Sequence, residues 1–305
     1  MDLPKAAVVV STRNRGESII RTGLSILKND YPHFELIVVD QSDNDLTQNA
    51  IHPFLKDSRF RYIRSQTRGL SAGRNIGIES AQSEFIALTD DDCETPDHWL
   101  GGLVKAFSLD HRIGVIFGNV ETGPHDSNQG SIPAYHRKGS FIARSVYEMH
   151  RVNGISACMG LRRSVWFELG GFDELLGAGG RFRSAEEMDF TLRTLRASYL
   201  VHETPEVMVI HHGFRTWDQA IDLIDGYLYG IGAMFAKHFK CGHQETFNLL
   251  LHLAWRWAFG GPVVNLGLHP PRVLRLIAFA KGFISGLKTP VDRRKGQFIQ
   301  LNRNT

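Results

Sequence analysis

Short apolar runs alternate with amphipathic stretches from the start of this chain. Ala6-Ala7-Val8-Val9-Val10-Ser11 is continuous and apolar, which predicts a strand buried on both faces. Residues 18–28 carry Ile19, Ile20, Leu24 and Leu27 at helical spacing. Residues 34–40 predict a second strand, 46–55 a short helix and 60–64 a third strand. Residues 71–82 predict a helix, with Ser71 available as N-cap. A strand over 85–89, a helix over about 97–107 and a strand over 113–117 follow. This alternation implies an α/β fold with a mostly parallel, doubly wound sheet and right-handed crossovers.

The pattern then breaks. Residues 121–151 are polar, rich in Gly, Pro and His, and without a period, the mark of a functional or mobile loop. A strand over 155–161 and a short helix over 164–169 resume the order. A Gly-rich segment ending in Gly177-Ala178-Gly179-Gly180 leads to a helix over 185–197 and a strand over 206–212. No internal repeat or low-complexity tract appears.

At 305 residues, 42% hydrophobic and 22% charged, the composition is that of an ordinary globular protein. Cys93, Cys158 and Cys241 show no pairing or metal-ligand spacing, which points to a reducing compartment. The N-terminus lacks the features of a secretory leader, so the expectation is a cytoplasmic protein. The net charge of +3 is unevenly spread. From Lys237 onward 11 Lys/Arg stand against 2 Asp/Glu, while the first 236 residues are net acidic. That basic tail is also apolar, over 247–259 and again over 273–287, with a Gly-Gly-Pro break at 260–262. Neither run reaches the roughly 18 uninterrupted apolar residues of a spanning helix. Aromatic residues with interspersed Arg and Lys predict helices lying on the cytoplasmic face of a membrane. The alternative is a pair of helices docked on the main domain or on a second copy. The tail's apolar content argues against nucleic acid as its partner.

The candidate chemistry centres on Asp90-Asp91-Asp92, directly after the 85–89 run. Carboxylates at the carboxyl end of a parallel strand lie where open α/β sheets bind ligands. Packed like charges call for solvent or a cation, and hard cations such as Mg²⁺ or Mn²⁺ take oxygen ligands together with phosphate oxygens. Removing one carboxylate is expected to relieve repulsion and leave the metal-free protein at least as stable. Alternation along an extended chain turns Asp91 away from its neighbours.

Six motifs follow one another along the chain: Val8-Val9-Val10-Ser11-Thr12-Arg13-Asn14-Arg15, Ile37-Val38-Val39-Asp40-Gln41-Ser42-Asp43, Gly69-Leu70-Ser71-Ala72-Gly73-Arg74-Asn75-Ile76-Gly77, the Asp90–Asp92 triplet, Gly170-Gly171-Phe172-Asp173-Glu174 and Glu186-Glu187-Met188-Asp189. In that order they resemble the motifs of family 2 glycosyltransferases, over roughly residues 5–235. The resemblance implies a GT-A fold, with a nucleotide-binding half over about 1–120 and an acceptor-binding half over about 121–236. Residues 237–305 form a helical extension. It implies a nucleotide-diphosphate sugar as donor, UDP-linked first, and a saccharide or lipid-linked acceptor. Thr12, Arg13, Asp40, Arg68, Arg74, Asp90 and Asp91 would contact the nucleotide sugar, with Asp40 on the base and the arginines on phosphate. Asp90, Asp92 and His211 would hold Mn²⁺ or Mg²⁺. His211 is favoured over His212 because it matches the family's His-x-Gly-Phe-Arg pattern, and strand neighbours face opposite ways. Asp173 and Glu186 would stand on the acceptor side.

The resemblance also implies that Glu187 is the general base for an inverting displacement. The residues alone leave another role open. Ser184-Ala185-Glu186-Glu187 reads equally as a capping box, with Glu187 reaching back to the Ser184 backbone. Two rival activities remain at this level. One is a nucleotide-sugar-binding protein without turnover. The other is a nucleotidyltransferase, which the missing Gly-rich, Lys-bearing first loop disfavours.

Overall fold

A computed structural model describes residues 3–259 and 271–300. The first half runs β1 (Ala6–Thr12), α1 (Gly16–Leu27), β2 (Phe34–Asp40), α2 (Leu46–Ala50), β3 (Phe60–Arg64), α3 (Leu70–Ser80), β4 (Phe85–Asp90), β5 (Cys93–Glu94), α4 (Trp99–Phe107) and β6 (Ile113–Thr122). The second half runs β7 (Gly130–Ser131), β8 (Phe141–Ala143), β9 (Met159–Arg162), α5 (Arg163–Glu168), α6 (Glu186–Arg196), β10 (Leu200–His211), β11 (Arg215–Thr216) and α7 (Trp217–Lys240). Beyond it lie α8 (Glu245–Phe259), α9 (Arg272–Lys288), β12 (Val291–Asp292) and β13 (Gln297–Phe298).

The main sheet has the order β3-β2-β1-β4-β9-β6-β10-β5, with β8 paired to β10. Every residue of β1 and β2 is buried, as their unbroken apolar runs require. Successive side chains of these strands serve two cores. Val8, Val10, Leu36 and Val38 pack with Ile19 and Ile26 of α1 and Trp99 and Leu100 of α4. Val9, Ile37 and Val39 pack with Ile78 of α3 and, through one continuous cluster, with Phe190 of α6 and Ala233 of α7. The β3-β2-β1-β4 block is parallel throughout. β9, which apolarity alone places in the sheet without a direction, enters antiparallel between β4 and β6.

Order reverses at β1, whose neighbours are β2 and β4, and a crevice opens there at the strand ends. Ser11 lies opposite Asp90 in the β1–β4 register. β5 then turns back along the end of β10, pairing Cys93 with His211. This turn sets the acidic triplet beside the histidine.

The period-free stretch proves to be an organised wall. β7 pairs with β11, β8 pairs with β10, and residues 146–151 form a short 3-10 helix. Buried Glu203 ties it down. Its carboxylate accepts from Tyr135 Oη at 2.9 Å, Arg137 at 2.6 Å and the Asn153 and Gly154 N–H groups at 2.7 and 2.6 Å.

The expected boundary between residues 236 and 237 falls inside α7. Lys237 and His238 are wholly buried there. Lys237 Nζ lies 2.7 Å from both Asp173 and Asp189, and His238 Nε2 lies 2.8 Å from Asp189. The Phe298 N–H of β13 donates to Asp173 at 2.8 Å. The extension is therefore knotted into the second half of the fold by buried charge. Among the described residues no helix is long and apolar enough to cross a membrane. The Gly-Gly-Pro break lies outside the described residues.

Candidate active site

The carboxyl ends of β1 and β4, the end of β10 and the start of α6 surround a cavity of ≈ 1000 Å³. Thr12, Arg13, Asp90, Asp91, Asp92, Glu186, Glu187 and His211 all line it. Eight of the residues expected at the site therefore come together.

β4 ends at Asp90, so Asp91 and Asp92 lie in the turn beyond it, where strand alternation does not hold, and Arg15 reaches both of them. Asp91 turns to β1, accepting from the Thr12 hydroxyl at 2.7 Å and from Arg15 at 3.2 Å. Burial dominates its titration and pushes its pKa up to about 6, against the pull of Arg15 and Thr12. Asp92 faces His211 at 3.1 Å and also accepts from Arg15. Burial works against its charge too, but the hydrogen bonds and charges of His211 and Arg15 hold its carboxyl well below the usual range. Asp90 accepts from Arg74 at 3.0 Å. The expectation of mutual repulsion is thus overturned for Asp92, because two cationic partners already stabilise its ionised form.

The donor set fits a divalent cation. Asp90, Asp92, Cys93 and His211 bring ligand atoms within 4.8 Å of one another. Burial raises the Cys93 thiol well above its usual pKa, and a hard cation prefers the carboxylates and the imidazole to a thiol. His211 Nδ1 lies 3.0 Å from the Pro133 carbonyl. A carbonyl only accepts, so Nδ1 carries a proton, and Nε2 faces Asp92 with a second proton between them in the imidazolium form or with a lone pair for a cation in the neutral form. The two atoms, 3.1 Å apart, are stable only with a cation or proton between them. Gly213 closes the cradle. A Cβ there would come within 2.6 Å of His211 Nε2 and 2.8 Å of Asp92 Oδ2.

The start of α6 does not form the capping box that the sequence allowed. Its N-cap is Ala185, in the left-handed region at φ 72°, and no side chain caps it. The Ser184 hydroxyl instead donates to the Gly226 and Tyr227 carbonyls, both at 3.1 Å. Arg183, at φ 69°, and Ala185 flank Ser184 in a conformation that costs non-glycine residues about 1 kcal/mol or more each. Glu186 is buried and accepts from Arg74 at 3.2 Å, so Arg74 joins it to Asp90. Glu187 does not reach back to the Ser184 N–H, which donates to Phe182 instead, and it is half-buried at the cavity wall. Burial first, and then the Glu186 carboxylate beside it, raise its pKa well above that of an ordinary glutamate, with Arg74 opposing.

Four expected residues do not line the cavity, and one of them, Arg74, is buried behind it with its guanidinium held by Glu186 and Asp90 rather than open to a nucleotide. Asp40 is fully buried, not at the cavity. Its oxygens accept from the Ser42 N–H at 2.8 Å, Tyr62 Oη at 2.6 Å and Arg64 at 3.1 Å, and Gln41 lines the cavity in its place. Arg68 is exposed and, with Arg13, pairs with Asp43 at 3.0 and 2.7 Å. Asp173 is sealed in the knot with Lys237 and so is not open to an acceptor. Arg15, Arg215 and Tyr227 line the cavity without having been singled out. Arg15 sits within the first motif, where only its proximity to Thr12 hinted at a role. Tyr227 comes from α7, far from any motif.

The family described as "Glycosyl transferase family 2" matches residues 7–169. A GalNAc(5)-diNAcBac-PP-undecaprenol beta-1,3-glucosyltransferase from Campylobacter jejuni is 30% identical over 122 residues, covering 38% of each chain. The chain spans about a third of the length of this and several other curated relatives, 29%, 38% and 28% in three cases. Among solved structures, S. aureus TarS 1-349 in complex with UDP-GlcNAc superposes with a TM-score of 0.62 at 17% identity, covering 84% of this chain and 73% of that one. The mannosyltransferase PcManGT from Pyrobaculum calidifontis, in complex with GDP-Man and Mn²⁺, gives 0.60 at 17%, covering 94% and 88%. At such identity these two speak for the fold, which is of the GT-A type.

Proposed function

The chain belongs to glycosyl transferase family 2 and is a glycosyltransferase, and we propose that it transfers a sugar from a UDP-linked donor to a hydroxyl acceptor with inversion. The observation that carries this reading is a carboxylate of raised pKa, Glu187, in one cavity with the Asp92–His211 pair. Asp90, Asp92 and His211 would hold Mn²⁺ or Mg²⁺, which supplies Lewis-acid stabilisation of the departing diphosphate. Glu187 takes the proton of the acceptor hydroxyl as its oxygen attacks the anomeric carbon. The bond from that carbon to the diphosphate oxygen breaks on the opposite face, which inverts the centre. A base with a raised pKa suits this step, because it binds the proton more firmly than an ordinary glutamate does. Arg15, Arg13 and Arg215 at the cavity offer guanidinium groups to the phosphates. Arg74 positions both Asp90 and Glu186.

The UDP preference is supported by the fold shared with TarS, whose structure holds UDP-GlcNAc. Use of Mn²⁺ is supported by the donor set here and by its presence in the PcManGT complex. The acceptor is a saccharide or lipid-linked molecule in polysaccharide or glycolipid synthesis. Contact with the cytoplasmic face of a membrane falls to α8 and α9. Arg272, Lys281 and Lys288 of α9 accompany exposed Val273, Leu274, Leu276 and Ile284.

The test is a thermal-shift panel of UDP-, GDP- and dTDP-sugars with and without Mn²⁺. A ligand at 100 times its Kd stabilises by about 2.7 kcal/mol. A UDP-sugar should raise Tm only with the metal, and UDP should appear once acceptor is added. No shift with any nucleotide sugar would overturn the proposal.

A further inference from the structure

We propose that the apolar wall of the active-site cavity is a subsite for the hydrocarbon chain of a lipid-linked acceptor. This rests on the glycosyltransferase reading and narrows its acceptor. The donor and cation end of the cavity is lined by arginines, carboxylates and His211, whereas Met149, Val152, Leu223, Ile231, Leu249 and Leu253 supply an apolar wall. They come from the 146–151 turn, α7 and α8, and that turn packs against both α6, which carries Glu187, and α8. Val152, Leu223, Ile231 and Leu253 remain only partly covered although they line an interior space. Partly covered apolar surface beside a general base favours an occupant with an apolar body. A bare saccharide would leave it facing hydroxyl groups.

The outer side of α8 identifies that body as a lipid chain. Leu249 and Leu253, one turn apart, line the cavity, and Phe247 and Leu251, also one turn apart, point outward at 59% and 53% exposure. A helix apolar on both faces belongs in a protein core or against lipid. α8 has the cavity on one side and solvent on the other. The neighbouring α9 adds exposed Val273, Leu274, Leu276 and Ile277 with Arg272, Lys281 and Lys288, a surface complementary to anionic headgroups. The apolar path from membrane to base thus runs over a single helix. A chain anchored in the bilayer could lie along it while its head presents a hydroxyl to Glu187.

The probe is farnesyl phosphate below its aggregation limit, titrated calorimetrically into the full chain, with UDP plus Mn²⁺ titrated in parallel. Leu253→Asp sets a charge in the wall, and Leu253→Trp fills it without one. Both variants should weaken farnesyl phosphate at least tenfold and leave UDP affinity within twofold, the second measurement certifying the fold. Inorganic phosphate in excess should not displace the probe, since the chain carries recognition. Displacement by phosphate, or equal farnesyl phosphate binding by all three proteins, would overturn the subsite. No binding by the wild type while UDP binds would also overturn it and leave the glycosyltransferase reading intact. Failure of UDP with Mn²⁺ to bind, with farnesyl phosphate behaving as expected, would sink the donor assignment and support the subsite.

Discussion

Replacing Glu187 by Gln should move activity and stability in opposite directions. The carboxylate is half-buried beside Glu186, and its pKa is raised by burial and by that neighbour. A carboxyl group whose folded pKa exceeds its unfolded one stabilises the fold fully only below the unfolded pKa. That contribution is lost as pH rises through the folded pKa. Above that range an ionised Glu187 costs the folded state free energy, and neutral Gln removes the cost. The amide can also donate to Glu186. A gain of about 1 kcal/mol would raise Tm by roughly 2–4 °C. A capping role would predict the reverse, but no side chain caps α6. Loss of a general base should lower kcat by about 10²–10⁴-fold, or roughly 2.7–5.4 kcal/mol of barrier, with donor affinity unchanged. The wild-type rate should rise with pH along a limb displaced above the ordinary glutamate range, and the variant should lack that limb. The assay is UDP release across pH, paired with thermal unfolding. Wild-type turnover in Glu187→Gln would refute the argument, and so would a dead variant with lowered Tm and lost donor binding. Glu186→Gln is the contrast. Its amide oxygen can still accept from buried Arg74 but no longer balances that charge, which should cost about 1.5–3 kcal/mol of stability.

Asp92→Asn should abolish Mn²⁺-dependent donor binding and destabilise the metal-free protein by about 1.5–3 kcal/mol at neutral pH. Its depressed pKa makes that stability present above the unfolded value and lost as pH falls through the folded one, so the wild-type advantage should vanish in strong acid, as denaturant titrations would show. Gly213→Ala should weaken Mn²⁺-dependent donor binding about 10–100-fold, because its Cβ would wedge His211 from Asp92; unchanged calorimetric affinity would dismiss the cation cradle. Lys237→Met should cost about 3–5 kcal/mol by leaving Asp173 and Asp189 buried with one cation fewer, and a Tm within 2 °C of wild type would count against the knot. The intact chain should float with anionic liposomes in low salt and be released by about 0.5 M salt; sedimentation without lipid would assign α8 and α9 to another surface.

The chain's periodicity foretold the first half of the fold closely. β2 and β3 end at the residues expected, because turn-forming residues bound each apolar run. Strand alternation did not carry into the triplet, because β4 ends at Asp90 and the next two carboxylates lie in a turn that Arg15 bridges. Other features left no local trace. Nothing in Met159–Arg162 states that β9 runs against its neighbours, since direction is set by the connection that precedes it. Ser184 and Glu187 have the spacing of a capping box, yet Arg183 and Ala185 adopt left-handed conformations that neither residue type announces. Asp173 resembled an acceptor-side group because its buried partner lies 64 residues away. Lys237 and His238 read as the first charges of a basic tail, since counting charge treats every lysine as solvated. Arg15 could not be linked to Asp91 and Asp92 without knowing that β1 and β4 are adjacent.

The knot around Asp173 and Asp189 has a consequence for how the protein is made. Asp189 lies two residues beyond Glu187, and its partners Lys237 and His238 emerge from the ribosome about 50 residues later. Asp173 is not fully bonded until the backbone of Phe298 arrives. Arg193 of α6 itself pairs with Asp189 at 2.9 Å, but at roughly 5–20 residues per second the parallel half of the sheet can form many seconds before α6 receives the further charges of α7. The Asp92–His211 pair is complete once β10 has been made, so a nascent chain should be able to hold a cation there before α7 locks α6 in place. Synthesis order alone would keep a half-made enzyme from acting on its acceptor.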